Sequence, residues 1–236
     1  MREIAHYYAR TIDDDPQLLD ESHRLRYHVY CVERGFLDPA DYPDRREVDE
    51  FDAHSVHLGV LDAHGTLVGT ARLIKPNPHG FPMFRHCAFF PEVQALDAPH
   101  ARPIEVSRLA ISRDHARGGR RAEPFLVLVR AMVQGARRAG ATHLMGANEP
   151  ALHRKLAHFG FPYRICGPTS DYYGPVAPYL MSLRELDETI VGGRFPALQG
   201  LGGTVWTPDL SQEVADGDAA ATWTDRTSMP SPPSTL

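Results

Sequence analysis

The sequence has few of the features that mark secreted, membrane-spanning or nucleic-acid-binding proteins. It contains three cysteines, an odd number that lie far apart, which argues against a disulfide framework and fits a reducing compartment. No apolar run approaches the roughly 18–20 residues that cross a bilayer. The apolar stretch of a signal peptide is missing from the opening residues, MREIAHYYARTIDDD, so we expect a cytoplasmic protein without a transmembrane segment.

Positive charge and metal-ligand motifs are also scarce. The net charge of -5 excludes a globally basic nucleic-acid binder, so we expect no nucleic-acid partner. The 13 histidines are scattered without an HExxH motif, and no CxxC is present, so we predict no metal site. What the chain does have is a hydrophobic fraction of 42%, which is enough to bury a core.

The hydrophobic pattern predicts one α/β domain with a mixed central sheet flanked by helices. Strands are expected at residues 3–11, 54–62, 66–75, 103–112, 141–147, 162–167 and 176–184. Helices are expected from Pro16 to about Glu33 behind an Asp15 cap, from Pro124 onward, and after an Asn148 cap. We assign residues 1–190 to this domain and 191–236 to a Gly/Pro-rich extension, largely disordered at its end.

Five charged residues stand out in this pattern. Asp49 and Asp52 lie in a long polar loop at residues 34–53, whereas Arg72, Glu105 and Arg108 lie in predicted strands. Unpaired buried charges cost several kcal/mol, so charges inside strands need partners. Surface ion pairs and a purely structural network that orders the loop are the alternatives. We expect a buried acid–arginine network that carries the chemistry.

These residues resemble the signature of the acyl-homoserine-lactone synthases of quorum sensing. Those enzymes have an arginine and two aromatics, an acidic pair, a strand arginine and a late Glu-x-x-Arg, matched here by Arg26, Tyr30, Phe36, Asp49, Asp52, Arg72, Glu105 and Arg108. Wider stretches such as LVGTARLI and EVSRLAIS look like the acyltransferases associated with the PEP-CTERM/exosortase system. Those acyltransferases are relatives of the long-chain N-acyl amino acid synthases.

The resemblance implies a single GNAT (acyl-CoA N-acyltransferase) fold. It also implies transfer of an acyl chain from an acyl carrier protein, as a phosphopantetheine thioester, to a small-molecule amine acceptor such as an amino acid. No tightly bound cofactor is expected. Within this scheme Glu105 is our first candidate for the base that deprotonates the amine, and Asp49 is the second. Arg72 and Arg108 are expected to hold the carboxylates.

Two further sets of residues are assigned on the same basis. Substrate binding is expected at Arg26, Tyr30, Phe36, Phe84, Leu109 and Ile111. Binding of the donor phosphate and the acidic carrier protein is expected at Arg113, Arg117, Gly118, Gly119, Arg120 and Arg121. An ordinary solvated basic loop is the equal alternative for the second set.

The chain departs from CoA-dependent GNAT enzymes at two positions. The glycines of its candidate phosphate loop, SRDHARGGRRAEP, do not have the usual spacing, and Leu156 stands where those enzymes often have a tyrosine. Both departures favour an acyl-carrier-protein donor. The alternatives are an acyl-CoA-dependent acetyltransferase and a non-catalytic module that binds a lipid or a partner.

Overall fold

The computed structural model describes residues 7–91, 93, 96, 100–113, 122–172 and 174–199. The strands are β1 (Tyr7–Thr11), β2 (Ser55–Asp62), β3 (Leu67–Ile74), β4 (Pro103–Ile111), β5 (His143–Asn148), β6 (Arg164–Ile165), β7 (Ser170–Asp171) and β8 (Pro175–Ser182). The α-helices are α1 (Pro16–Tyr27), α2 (Pro82–His86), α3 (Glu123–Arg138), α4 (Pro150–His158), α5 (Leu183–Val191) and α6 (Pro196–Gln199). No helix in these described ranges is long and apolar enough to span a membrane.

The strands form one mixed sheet in the order β1-β2-β3-β4-β5-β8-β6, with β7 paired to β8. Strands β4 and β5 pair in parallel, and the other neighbours pair antiparallel. The helix α3 buries Phe125, Leu128 and Met132 in the main hydrophobic core. The predicted mixed α/β architecture is confirmed.

Helix α1 begins as the sequence predicts and then changes pitch. The Asp15 carboxylate accepts a hydrogen bond from the Leu18 backbone N–H, and Pro16 occupies the first turn. Beyond Tyr27 the backbone continues as a π-helix over His28–Glu33. Segments of π-helix are rare and often occur at functional sites.

Two predicted boundaries are wrong, and local chemistry explains both. Asn148 is the last residue of β5 rather than a helix cap, because Pro150 starts α4 and keeps Glu149 before it in an extended conformation. The predicted strand at 176–184 ends at Ser182, whose hydroxyl accepts from the Glu185 N–H and caps α5. The predicted helix set did not include α5.

The packed part of the chain continues past the predicted boundary at residue 190. Leu198 is fully buried in the main core, and the Arg130 guanidinium donates to the Ala197 carbonyl at 3.0 Å. A side chain at Gly160 would collide with the Phe195 ring, so these two residues are in close contact. Residues 200–236 lie outside the described residues, and their disorder stays a prediction.

Candidate active site in the cleft between β4 and β5

A cleft opens where two neighbouring strands separate. Strands β4 and β5 are paired only from Pro103 to Glu105 and from His143 to Met145. Beyond this point a cavity of about 170 Å³ lies between them. Its lining residues include Tyr30, Arg34, Phe36, Glu105, Ser107, Arg108, Leu109, Met132, Met145, Gly146, Glu149, Leu156, Tyr163 and Tyr172.

A β-bulge shapes the β4 wall of the cleft. Thr70 pairs with Ala110 and Arg72 with Ser107, so Arg108 and Leu109 together lie opposite a single residue of β3. Arg108 has a φ of 52°, a left-handed conformation that is costly for a side chain other than glycine. The Tyr30 hydroxyl donates a hydrogen bond of 3.0 Å to the Leu109 carbonyl and so connects the π-helix to the bulge.

Three buried arginines and three carboxylates form an ion-pair network behind this wall. Arg26 donates two hydrogen bonds to Asp52, of 2.6 and 3.0 Å, and a third of 2.6 Å to Glu47. Arg108 donates to Glu47 at 3.0 Å and to Asp49 at 3.1 Å. The formal charges of the three arginines and three carboxylates balance within the network.

The third arginine, Arg72, connects the loop to two strands. It donates two hydrogen bonds to Asp49, of 2.5 and 2.7 Å, one of 2.8 Å to Asp52 and one of 2.8 Å to the Ser107 hydroxyl. This two-pronged geometry is the arrangement that guanidinium and carboxylate groups prefer. Arg72 and Arg108 thus hydrogen-bond to the loop aspartates.

Sequence reasoning missed Glu47, which is a central member of the network. Its side chain is 0% exposed and accepts from both Arg26 and Arg108. Burial by itself would raise the pKa of Glu47, but the two arginines lower it overall. Its position two residues before Asp49 in the acidic loop was the signal that could have identified it.

The loop aspartates are held in the ionised state. Burial acts to raise the pKa of Asp49, but the hydrogen bonds from Arg72 lower it overall. The pKa of Asp52 is also lowered, because hydrogen bonds from His57 and Arg26 outweigh its burial. A carboxylate with a lowered pKa is a weak base. The geometry therefore does not fit our second choice of base, Asp49.

Glu105 lies outside the ion-pair network, contrary to expectation. Its side chain is 2% exposed, and among the described residues its hydrogen-bond donor is the Met83 backbone N–H, at 3.0 Å. Burial raises the pKa of Glu105 to about 8, although the Met83 N–H acts in the opposite direction. The cleft is thus bordered by a carboxyl group that can take up a proton near neutral pH.

His57 is a second residue that our site assignment omitted. Its Nδ1 lies 2.7 Å from Asp13 Oδ1 and its Nε2 lies 3.0 Å from Asp52 Oδ1. Burial acts to lower the pKa of His57, but the hydrogen bonds with these two aspartates raise it overall. His57 therefore extends the network towards the protein surface at Asp13.

The same histidine belongs to a small group of possible metal ligands. The ligand atoms of His23, Asp52 and His57 lie within 4.8 Å of one another. However, Asp52 already accepts hydrogen bonds from Arg26 and Arg72, and these positive charges oppose a bound cation. The chemistry of this group fits an ion-pair network better than a metal centre.

The predicted substrate-binding residues separate into two groups. Tyr30, Phe36 and Leu109 line the cleft. The others are placed elsewhere: Arg26 lies in the network, Phe84 packs near Phe81 and Phe89 in a second apolar cluster, and Ile111 packs against the main core.

Of the predicted donor-binding residues, one is described. Arg113 is 63% exposed and forms an ion pair of 3.0 Å with Glu33. The remaining predicted residues lie outside the described part of the chain. They are Arg117, Gly118, Gly119, Arg120 and Arg121.

The sheet, the separated parallel strands and the cleft between them define an acyltransferase fold of the GNAT kind. A family model described as "Acetyltransferase (GNAT) domain" matches residues 25–126, which include the last turn of α1, the acidic loop and strands β2 to β4. The matched residues make up less than half of the chain.

A known protein with a related sequence is an N-acyltransferase by name. L-ornithine N(alpha)-acyltransferase of Rhodobacter capsulatus is 31% identical over 119 residues, which cover 48% of this chain. The match spans 46% of that relative, about half of its length.

Solved structures support the fold over most of the chain. FeeM, an N-acyl amino acid synthase from uncultured soil microbes, has a TM-score of 0.59 at 17% identity, covering 79% of this chain and 96% of that one. The CoA-dependent acyl-homoserine lactone synthase BjaI, solved with SAM and isopentyl-CoA, has a TM-score of 0.60 at 20% identity. The BjaI match covers 87% of this chain and 94% of that one.

Proposed function

We propose that this protein is an N-acyltransferase that transfers a long acyl chain from a thioester to the amine of an amino acid or similar small acceptor. The observation that carries the proposal is Glu105, a buried carboxyl group that borders the cleft and is separate from the neighbouring ion-pair network. The named N-acyltransferases among the similar proteins support the same class of reaction.

The reaction requires a neutral amine, because an ammonium has no electron pair to donate. Glu105 takes the proton from the acceptor amine, directly or through a water. The amine nitrogen then bonds to the thioester carbonyl carbon, and the carbon–sulfur bond breaks. On forming the amide the nitrogen also loses a second proton, so that two protons leave the original ammonium. One of them converts the leaving thiolate to a thiol, and the other is released to solvent.

The acyl chain needs an apolar space, and part of the cleft lining is apolar. Met132, Met145, Leu156 and Tyr163 are among its lining residues. Leu156 is buried there, at the position where many CoA-dependent enzymes have a tyrosine. An apolar group at this point is compatible with binding of a hydrocarbon chain.

The donor in our proposal is an acyl carrier protein, with acyl-CoA as the alternative. The departures of the phosphate loop and Leu156 from the CoA-dependent pattern favour the carrier protein. BjaI, a protein of similar fold, is CoA-dependent by name. The experiment below therefore includes acyl-CoA as a second donor. An association with the PEP-CTERM/exosortase system stays a prediction from the sequence resemblance.

Mass spectrometry of lipids from cells that express the protein tests the proposal. Long-chain N-acyl amides are expected in expressing cells and not in cells that carry the empty vector. The purified protein is then given palmitoyl-acyl carrier protein or palmitoyl-CoA with the amine identified in this way. Rapid turnover of acetyl-CoA without any long-chain amide would contradict the proposal.

A further inference from the structure

One cation in the lining of the cleft is accessible and is not part of the buried network. Arg34 follows the π-helix and forms an ion pair with Glu149, which stands between β5 and α4. Arg108 is the other cation among the described lining residues, but it is 12% exposed and bound to Glu47 and Asp49. An anion that enters the cleft therefore meets the guanidinium of Arg34.

The Arg34–Glu149 pair is suited to exchange for a ligand. The two side chains are 35% and 30% exposed, and ion pairs with this exposure contribute little to stability. The Arg34 guanidinium also lies 4.4 Å from the centre of the Phe36 ring, which keeps it oriented along the cleft wall. A carboxylate can replace Glu149 as the partner of Arg34 at small cost.

We propose that Arg34 binds the carboxylate of the amine acceptor, so that the acceptors are amino acids rather than simple amines. The inference rests on the proposed function, because it names the acceptor class for the same cleft. Arg34 and Glu105 border one cavity of about 170 Å³, so one small molecule can present its carboxylate to the first and its amine to the second. A planar guanidinium is well matched to a carboxylate.

Paired acceptors test this inference. The purified protein is assayed with palmitoyl-acyl carrier protein and with palmitoyl-CoA, against L-amino acids, including ornithine, and the amine that each gives on decarboxylation. We expect acylation of amino acids and at least tenfold weaker acylation of the matching amines. Equal acylation of both would overturn the carboxylate site and leave the proposed function in place. Acylation of neither, with either donor, would overturn both.

Variants of the ion pair separate ligand binding from structure. Arg34→Met should raise the KM for the amino acid roughly 10- to 100-fold without changing the KM for the donor, since a hydrogen bond to a charged group is lost. Arg34→Met should also remove the preference for the amino acid over the decarboxylated amine. Arg34→Lys should retain part of that preference. A rise in the donor KM instead would mean that Arg34 binds the donor phosphate, and it would overturn the inference.

Glu149→Gln is the matched control, because it breaks the same ion pair and keeps Arg34. We expect an unchanged or lower KM for the amino acid in this variant. If Glu149→Gln raises that KM as much as Arg34→Met does, the pair acts only as a structural contact and the inference is wrong. Melting temperatures of the variants check that each is folded.

Discussion

Two carboxylic acids near the cleft have opposite environments. Asp49 receives two hydrogen bonds from Arg72, and its pKa is lowered. Within the described part of the chain, the hydrogen-bond donor to Glu105 is one backbone N–H, and burial raises the pKa of Glu105 to about 8. A base must be ionised to accept a proton yet basic enough to hold it, and a pKa near the working pH meets both requirements. Glu105 meets them better than Asp49.

Replacing Glu105 tests its role in proton transfer. Glu105→Gln keeps the size of the side chain and removes the base, so we expect turnover to fall by about 10²–10⁴-fold. In the wild type, kcat/KM should rise with pH and level off above about 8, as the carboxyl group ionises. Steady-state kinetics from pH 5 to 9 checks both results. Wild-type turnover by Glu105→Gln would remove this residue from the mechanism.

The same group makes stability depend on pH in a direction opposite to most carboxylates. In the folded state Glu105 keeps its proton up to about pH 8, whereas in the unfolded chain it loses the proton near its ordinary pKa of 4.5. Between these two pKa values the unfolded state therefore binds fewer protons than the folded state. The contribution of Glu105 to the free energy of unfolding falls as the pH rises through this range. Urea unfolding at pH 5 and pH 8 measures this effect. The free energy of unfolding should decrease less between the two pH values for Glu105→Gln than for the wild type.

At the scale of elements, the ion-pair network connects the acidic loop to helix α1 and to strands β3 and β4. Arg26 comes from the helix, Arg72 from β3 and Arg108 from β4, and the three carboxylates come from the loop between α1 and β2. Hydrogen bonds between charged groups thus attach this loop to the helix and the two strands. The loop is long, and the network gives it a defined position.

Removing one member of the network should be costly. Arg72→Met removes one arginine partner from both Asp49 and Asp52, and a broken buried pair of this kind costs about 3–5 kcal/mol of unfolding free energy. Arg184→Ala is the control, because its pair with Glu188 is exposed and is worth at most about 1 kcal/mol. Urea denaturation measures both. Equal losses would show that burial does not distinguish the two pairs.

At the scale of the whole molecule, the C-terminal segment closes the main core. Leu198 is buried with residues of α3 and of the sheet, although it follows the last long helix. The folded unit therefore includes α6. A protein cut at residue 190 would expose the apolar surface that Leu198 and Phe195 cover.

Leu198→Ala measures this contribution. Truncation of a buried leucine costs about 2–5 kcal/mol, so the free energy of unfolding should fall by an amount in that range. Val191→Ala is the comparison, since Val191 is 87% exposed and its truncation should change stability by no more than about 0.5 kcal/mol. Similar effects of the two substitutions would show that α6 does not stabilise the core.

Features that depend on local sequence were predictable. The Asp15-Pro16 start of α1, the strand-like runs of β2 and β3, and the helical spacing of Phe125, Leu128 and Met132 come from caps, short apolar runs and periodicity within a few residues. The charged signature also identified five members of the site region, because charges within apolar strands require partners.

Features that depend on contacts between distant segments of the chain were not predictable from the sequence. The partners of Arg26 and Arg108, including Glu47, are set by how α1, the loop and β4 meet in space. The bulge at Arg108 changes which side chains of β4 face the network and which face the cleft, since side chains alternate along a strand. Glu105 has a buried position in which the effect of burial outweighs the Met83 N–H and the charges of Arg72 and Arg108, so its pKa is raised.

The amino-acid sequence by itself determined the mixed sheet, most of its strands and five of the charged residues near the site, because these follow from local periodicity and the cost of burying charge. Only the tertiary structure decided which carboxylates are neutralised by arginine and which one remains free to exchange a proton. The physical reason is that a pKa depends on burial and on charges a few ångströms away, and residues far apart in the chain supply both.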